Sequence, residues 1–114
     1  MGFELQRSLA PVAEVVALDR AQCDLSDENA LRALIRSVGA GVIVNAAGYT
    51  AVDKAESDIA AAEAVNARAP GVIGEEAARL GAWVVHFSSD YVFDGTKPSP
   101  YTEDDTTNPQ SAYG

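Results

Sequence analysis

Residues 82–95 read AWVVHFSSDYVFDG, and this stretch decides the fold. Its first part, AWVVHFSS (82–89), predicts a buried strand that ends in two serines, with Asp90 directly after them. Open α/β sheets place their ligands and their chemistry just beyond the carboxyl ends of the strands. The stretch therefore predicts one strand of a parallel sheet, with a functional site at its carboxyl end.

Two more strands are predicted upstream. GVIVNAAG (41–48) is apolar on both faces, which is typical of a buried parallel strand. Val12 to Leu18 is apolar and rich in β-branched residues, and it also predicts a strand.

Helices are predicted between these strands. DLSDENALRALIRSVG (24–39) carries apolar residues at the spacing of an amphipathic helix: Leu31, Leu34, Ile35 and Val38. Asp24 or Ser26 could cap this helix, and Gly39 or Gly41 could end it.

A long alanine-rich helix is predicted from about Lys54 to Leu80, with Gly81 as its end. Pro70 should kink or interrupt it. Near its start, Asp53 and Glu56 are interpreted mainly as helix caps.

The order strand–helix–strand–helix–strand implies right-handed crossovers and a Rossmann-like α/β fold, a parallel sheet with flanking helices. Residues 1–11 predict a short helix, and the tail 94–114 predicts a loop. A doubly wound domain normally opens with a strand and a Gly-rich turn. We expect both to be absent here and the chain to be a segment of a longer protein; a complete three-stranded domain is the alternative.

The composition and charge of the chain argue against several classes of function. The net charge of -9 argues against a nucleic-acid partner or an anionic membrane surface, although a phosphorylated ligand remains compatible with it. The single cysteine, Cys23, excludes an internal disulfide framework. No apolar run is long enough to span a membrane and no secretory pattern is present, so a cytoplasmic protein is expected. No cluster has metal-ligand spacing.

Four blocks together resemble a known family: VNAAGYTAVDKAESD, AVNARAP, GAWVVHFSSDYVFDG and YTEDDTTNPQSAYG. They are similar in order and spacing to the dTDP-4-dehydrorhamnose reductases of the extended short-chain dehydrogenase/reductase group. The resemblance implies that residues 1–114 are a partial NAD(P)-binding domain, with the substrate domain outside this chain. Of the family's Gly-rich turn only Met1 and Gly2 would remain, and the family's catalytic lysine would fall beyond Tyr113, so the isolated segment is expected to be inactive.

The same resemblance assigns catalytic roles to Ser89 and Tyr113. Reducing a ketone needs a hydride, which no side chain can supply, and a proton. Tyr113 would donate the proton, and Ser89 would hydrogen-bond the carbonyl oxygen. Taken alone, Ser89 is better interpreted as bonding its own backbone, and Tyr113 as a surface residue of the tail; the resemblance reverses both interpretations.

The cofactor implied is NADPH, with NADH also compatible. Small residues after the second strand let a ligand approach the backbone, and an acid after the first strand can bind the adenosine ribose, with Arg20 beside it favouring a 2′-phosphate. The cofactor-binding residues implied are Gly2, Asp19, Asp24, Leu25, Ala46, Ala47, Gly48, Thr50 and Tyr113. The substrate-binding residues implied are Val52, Ser89, Asp90 and Tyr91.

The function implied is reduction of dTDP-4-dehydro-L-rhamnose to dTDP-L-rhamnose, and a homodimer of the parent protein is compatible with it. One alternative is a non-catalytic, NADP-binding regulatory subunit of the methionine adenosyltransferase type. Another is a different nucleotide-sugar reductase or epimerase, although SSDYVFDG departs from the epimerase pattern. Lysine four residues after Tyr113 would favour catalysis over regulation.

Overall fold

The computed structural model describes residues 1–114, and its centre is a parallel pair of strands. Strand β1 (Val42–Asn45) pairs with β2 (Trp83–His86), so that Val42 is opposite Trp83 and Asn45 is opposite His86. Both strands were predicted from their apolar runs, and the parallel pairing is confirmed. Their carboxyl ends therefore meet at one edge of the sheet.

The predicted strand from Val12 to Leu18 is wrong. This segment has no regular secondary structure, and Val12 and Val16 are 79% and 56% exposed. β1 and β2 pair only with each other. A β-branched run becomes a strand only where a neighbouring strand completes its hydrogen-bond ladder, and here none does.

Two helices precede the sheet. Helix α1 (Gly2–Leu9) is the predicted N-terminal helix, and α2 (Glu28–Val38) is the predicted amphipathic one. The capping predictions for Asp24 and Ser26 are wrong, because the Asp27 carboxylate accepts a hydrogen bond from the Ala30 N–H at 2.9 Å. Gly39, with φ of 60°, ends the helix as predicted.

The predicted helix from Lys54 to Leu80 is broken into parts. A single turn, α3 (Val52–Ala55), comes first. After a break, a longer helix runs continuously from Ile59 to Leu80. It consists of α4 (Ile59–Glu63), a π segment (Ala64–Arg68) and α5 (Ala69–Leu80). Pro70 has no N–H to donate, and the wider π turn ends just before it, which accounts for the predicted irregularity. Gly81, with φ of 67°, ends α5 as predicted.

The core lies between α2 and α5. Three partly buried residues, Cys23, Leu25 and Ile43, pack against it. The core itself consists of five buried side chains: Leu31, Ile35, Ala69, Val72 and Ile73. The sheet is thinly covered, since all four residues of β2 are exposed and Trp83 is 78% exposed. None of the helices has the length and apolar composition needed to cross a membrane.

Candidate functional site at the carboxyl edge of the sheet

The carboxyl ends of the two strands are joined by side chains. The Asn45 amide contacts His86 Nδ1 at 3.1 Å, and its oxygen accepts a hydrogen bond from the Ala47 N–H at 3.2 Å. Asn45 is buried, whereas His86 is exposed. Asn45 thus fixes both the neighbouring strand end and the turn that begins the next loop.

Asn66, in the middle of the π segment, holds that loop. Its side-chain oxygen accepts a hydrogen bond from the Tyr49 N–H at 2.8 Å, and its NH₂ donates to the Tyr49 carbonyl at 2.9 Å. These two hydrogen bonds have the pattern that a neighbouring strand would make with the Tyr49 backbone. A Cβ on Gly48 would lie 3.3 Å from the Asn66 oxygen, so the loop passes close to the helix where glycine fits best. Sequence reasoning assigned no role to Asn66, although it lies in the AVNARAP block that resembles the family.

The loop after β1 is the predicted cofactor edge. Ala47, Gly48 and Thr50 are exposed, and Ala46 is half-buried. Small side chains at an exposed strand end leave the backbone open to a ligand.

Tyr49 anchors this loop to the start of the second long helix. Its hydroxyl donates to the Asp58 carboxylate at 3.2 Å, and Lys54 lies 3.6 Å from the same carboxylate. Burial, followed by the charge of Asp58, raises the pKa of Tyr49. Val52, a predicted substrate residue, is half-buried at the start of α3.

Ser89 caps a short 3₁₀ turn, Asp90–Val92, just beyond β2. Its Oγ accepts a hydrogen bond from the Tyr91 N–H at 3.1 Å and donates to Asp90 at 3.4 Å. This is the backbone-bonding arrangement that a strand-end serine can adopt on its own. The hydroxyl proton is engaged only in the longer contact, so it can turn toward an incoming carbonyl oxygen.

Tyr113 lies against the same turn. Its ring and that of Tyr91 meet edge to face, with centroids 5.5 Å apart and planes at 88°. The neighbouring Ala112 N–H donates to the Glu56 carboxylate at 2.8 Å. The capping prediction for Glu56 is therefore wrong: the residue ties down the tail, and sequence spacing gave no signal for so distant a contact. Asp53 makes no cap either, since α3 begins without a side-chain cap.

Two clefts flank this contact. One of about 680 Å³ is lined by residues of the 3₁₀ turn and of the tail, among them Asp90, Tyr91, Tyr101 and Ser111. The other, about 220 Å³, separates Tyr113 from the π segment and includes Asn66 in its wall. The turn that Ser89 caps thus contacts Tyr113 through Tyr91, and Asn66, which holds the loop after β1, lines the cleft beside Tyr113.

The residues predicted to bind the adenosine half of the cofactor form a separate group. The Asp19 Oδ1 accepts the N–H groups of Ala21 and Gln22 at 2.9 and 3.1 Å, while its Oδ2 has no hydrogen bond. Asp24 accepts the backbone N–H and the hydroxyl of Ser26 at 2.9 and 2.7 Å, and these bonds lower its pKa. A free carboxylate oxygen on the exposed Asp19 fits a ribose diol.

The other two predicted cofactor-binding residues, Leu25 and Gly2, lie in different environments. Leu25 packs against the core. Gly2 stands apart in the first turn of α1, exposed, and has open space where a Cβ would lie.

Comparison with known proteins shows which family the chain resembles. The family model described as RmlD substrate binding domain matches residues 1–114. A dTDP-4-dehydrorhamnose reductase of Burkholderia thailandensis is 52% identical over 114 residues, which are 100% of this chain and 38% of that protein.

Two crystal structures are similar to the chain. One, of a dTDP-4-dehydrorhamnose reductase from Clostridium acetobutylicum, has a TM-score of 0.94 and 38% identity over 99% of this chain and 41% of that one. Another, from Bacillus anthracis and in complex with NADP, has a TM-score of 0.92 and 28% identity over 98% and 40% of the two chains. The chain thus spans about two fifths of the length of the proteins it matches.

Proposed function

Because the chain belongs to the RmlD family, which includes dTDP-4-dehydrorhamnose reductases, we propose that it is the cofactor-binding part of such a reductase. The complete protein would reduce dTDP-4-dehydro-L-rhamnose to dTDP-L-rhamnose. The observation that carries this proposal is the contact between Tyr113 and Tyr91, two residues beyond Ser89. It groups a phenol and a serine hydroxyl at the carboxyl end of a parallel strand, where α/β sheets bind their ligands.

The residues of the chain fit a nicotinamide dinucleotide. Asp19, with one unbonded carboxylate oxygen, would hold the adenosine ribose, and Asp24 and Leu25 would lie near the adenine. Arg20, whose side chain is 88% exposed, could reach a 2′-phosphate, so NADPH is proposed with NADH also accepted. Gly2 and the segment containing Ala46, Ala47, Gly48 and Thr50 would line the path of the cofactor, whose contribution when bound is a hydride.

Ser89 and Tyr113 would supply the rest of the chemistry. Tyr113, as general acid, would transfer its phenol proton to the oxygen of the substrate's C4 carbonyl, leaving the C4 alcohol. The Ser89 hydroxyl would turn from Asp90 and donate to the same oxygen while negative charge develops on it. Val52, Asp90 and Tyr91 would contact the sugar, and Tyr113 would also lie against the cofactor's nicotinamide end.

Further assignments rest on the sequence and stay predictions. A separate substrate domain would complete the protein, and a cytoplasmic location, a homodimer and the absence of a nucleic-acid partner are expected. The alternative of a regulatory, non-catalytic subunit is disfavoured because the relatives named above are reductases.

The experiment that tests the proposal measures NADPH oxidation by the complete protein with and without dTDP-4-dehydro-L-rhamnose. We expect oxidation that depends on the sugar and yields dTDP-L-rhamnose. Binding of NADPH without turnover would contradict the proposal and favour the regulatory alternative.

A further inference from the structure

One buried amide joins the ends of the two strands. Asn45 and His86 are the last pair of residues in the β1–β2 ladder, and the Asn45 side chain contacts both His86 and the loop that follows β1. Asn45 is only 6% exposed. Its Oδ1 is 3.2 Å from the Ala47 nitrogen, and its Nδ2 is 3.1 Å from His86 Nδ1. Both polar atoms of the amide are therefore bonded.

The Ala47 N–H determines the direction of both bonds. A backbone N–H only donates, so the Asn45 atom that faces it is the oxygen, and the atom that faces His86 is the NH₂ group. An NH₂ group also only donates, so His86 Nδ1 is the acceptor. The imidazole ring therefore has its proton on Nε2.

No other arrangement of protons keeps both bonds. A ring with a proton on Nδ1 would place its N–H against the NH₂ group of Asn45. Turning the Asn45 amide over would give that ring an acceptor, but it would place the NH₂ group against the Ala47 N–H. The position of one ring proton thus decides whether the first turn of the loop after β1 is held.

The two bonds link both halves of the proposed site. Ala47 and Gly48 are exposed residues of the loop that would line the path of the cofactor. His86 ends β2, the strand that leads into Ser89. A loop that already has its binding conformation costs less free energy to order when a ligand binds. The bonds of Asn45 therefore bear on how well the loop receives a cofactor.

We propose that Asn45 and His86 are positioning residues for the cofactor, and that His86 acts by accepting a hydrogen bond at Nδ1. His86 holds the Asn45 amide in the one orientation that fixes the Ala47 N–H, and the fixed turn presents the loop backbone to the nicotinamide dinucleotide. The inference rests on the proposed function, because it concerns the cofactor of that reductase. Neither residue has a part in the proposed chemical step, so the affinity for NADPH rather than kcat should respond to them.

The first test locates the ring proton by ¹⁵N NMR of the complete protein at pH 7, with His86→Asn identifying the signals of His86. We expect an unprotonated Nδ1 and a protonated Nε2 in wild type. In Asn45→Asp an ionised carboxylate can still accept the Ala47 N–H, but it needs a donor from His86, so the proton should be found on Nδ1. A wild-type Nδ1 that carries a proton, or an Asn45→Asp variant whose Nδ1 does not, would overturn the inference.

The second test separates His86 as an acceptor from His86 as a packing residue. In His86→Asn the side-chain oxygen is attached to Cγ, as Nδ1 is in histidine, so an acceptor remains for Asn45. His86→Leu has no acceptor and leaves the buried NH₂ group of Asn45 without a partner. Fluorescence titration of the complete protein should give a Kd for NADPH that rises about fivefold or more in His86→Leu and stays within about twofold of wild type in His86→Asn.

Glu76→Gln is the control for stability, because Glu76 binds arginines at the interface of α2 with α5 and its loss should lower the melting temperature without changing the Kd for NADPH. A His86→Leu variant with the wild-type Kd, or a His86→Asn variant that binds as weakly as His86→Leu, would overturn the inference and leave the proposed function intact. An equal rise in Kd in Glu76→Gln would also overturn it, since lost stability would then explain the effect. NADPH binding by wild type without sugar-dependent oxidation would contradict the proposed function, and the ring proton and the Kd, which need no turnover, would still decide this inference.

Discussion

The interface between α2 and α5 and the loop around Asp94 each bind one carboxylate, but the donors are charged in the first and uncharged in the second. Glu76 of α5 is 0% exposed and is bonded by Arg36 at 2.7 Å, Arg32 at 3.0 Å and Arg79 at 3.1 Å. Hydrogen bonding from Arg36 is the largest cause that lowers its pKa, to about 2. Asp94 is half-buried and is bonded by uncharged groups, which place its pKa well below the usual range.

The two carboxylates therefore have different roles in the molecule. Glu76 joins two regular helices whose backbones are already satisfied, so its arginines stabilise the domain. Asp94 bonds Thr96, Tyr101 and Asn108, which belong to no helix or strand, so its partners determine the shape of the loop that follows the 3₁₀ turn. Changes near Glu76 should therefore affect stability, whereas a change at the Tyr113 hydroxyl should affect turnover.

The largest effect should come from Tyr113→Phe in the complete protein. Loss of the proposed general acid should lower kcat by about 10²–10⁴-fold. The melting temperature should change little, because the ring contact with Tyr91 does not use the hydroxyl. Steady-state kinetics and thermal denaturation check both parts; a variant within tenfold of wild-type kcat would remove Tyr113 from the acid role.

Asn66→Ala should mainly weaken cofactor binding. Removing the two bonds to Tyr49 frees the loop after β1, and at about 1 kcal/mol for each bond the Kd for NADPH should rise roughly tenfold or more. Fluorescence titration measures it. Asn29→Ala is the matched control, since Asn29 is exposed on α2; equal shifts in the two variants would argue against a clamp on the cofactor loop.

Glu76→Gln should lower stability and leave turnover nearly unchanged. Three arginines would lose a buried charged partner, and the melting temperature should fall by about 5 °C or more. Glu75→Gln is the control, because Glu75 is 59% exposed and contacts Arg32 alone, at 2.6 Å. A fall in kcat without a fall in melting temperature would reverse the contrast between the two regions.

The smallest expected effect is on how the free energy of unfolding changes with pH. The folded pKa of Glu76, about 2, lies below the ordinary value of 4.5, so its stabilisation is complete above pH 4.5 and is lost as pH falls toward 2. Denaturant titrations between pH 5 and roughly 2 should show a smaller stability loss in Glu76→Gln than in wild type. Parallel curves would mean that Glu76 does not titrate with unfolding.

The regular elements were largely predictable because their signals are local. The apolar runs at 41–48 and 82–89 predicted β1 and β2, and Gly39 and Gly81 predicted two helix ends, where a positive φ favours glycine. The segment Val12–Leu18 failed because strand formation depends on a neighbour that its own residues do not reveal.

The site was predictable only in part, because its bonds join distant residues. Resemblance indicated Ser89 and Tyr113, and the structure places both beside Tyr91. Glu56 and Asn66 were missed since their partners lie 56 and 17 residues away. The contact between Lys97 and Asp105, at 2.5 Å, was also not predicted from the sequence.

The central proposal, that the complete protein presents a hydride donor and an acid to a nucleotide-linked ketone, has one direct measurement. The complete protein is incubated with dTDP-4-dehydro-L-rhamnose and NADPH deuterated at the transferable position, and the product is examined by NMR. We predict deuterium at C4 of the sugar in dTDP-L-rhamnose, formed by wild type and far more slowly by Tyr113→Phe. Tight NADPH binding with no deuterium in the sugar would contradict the account.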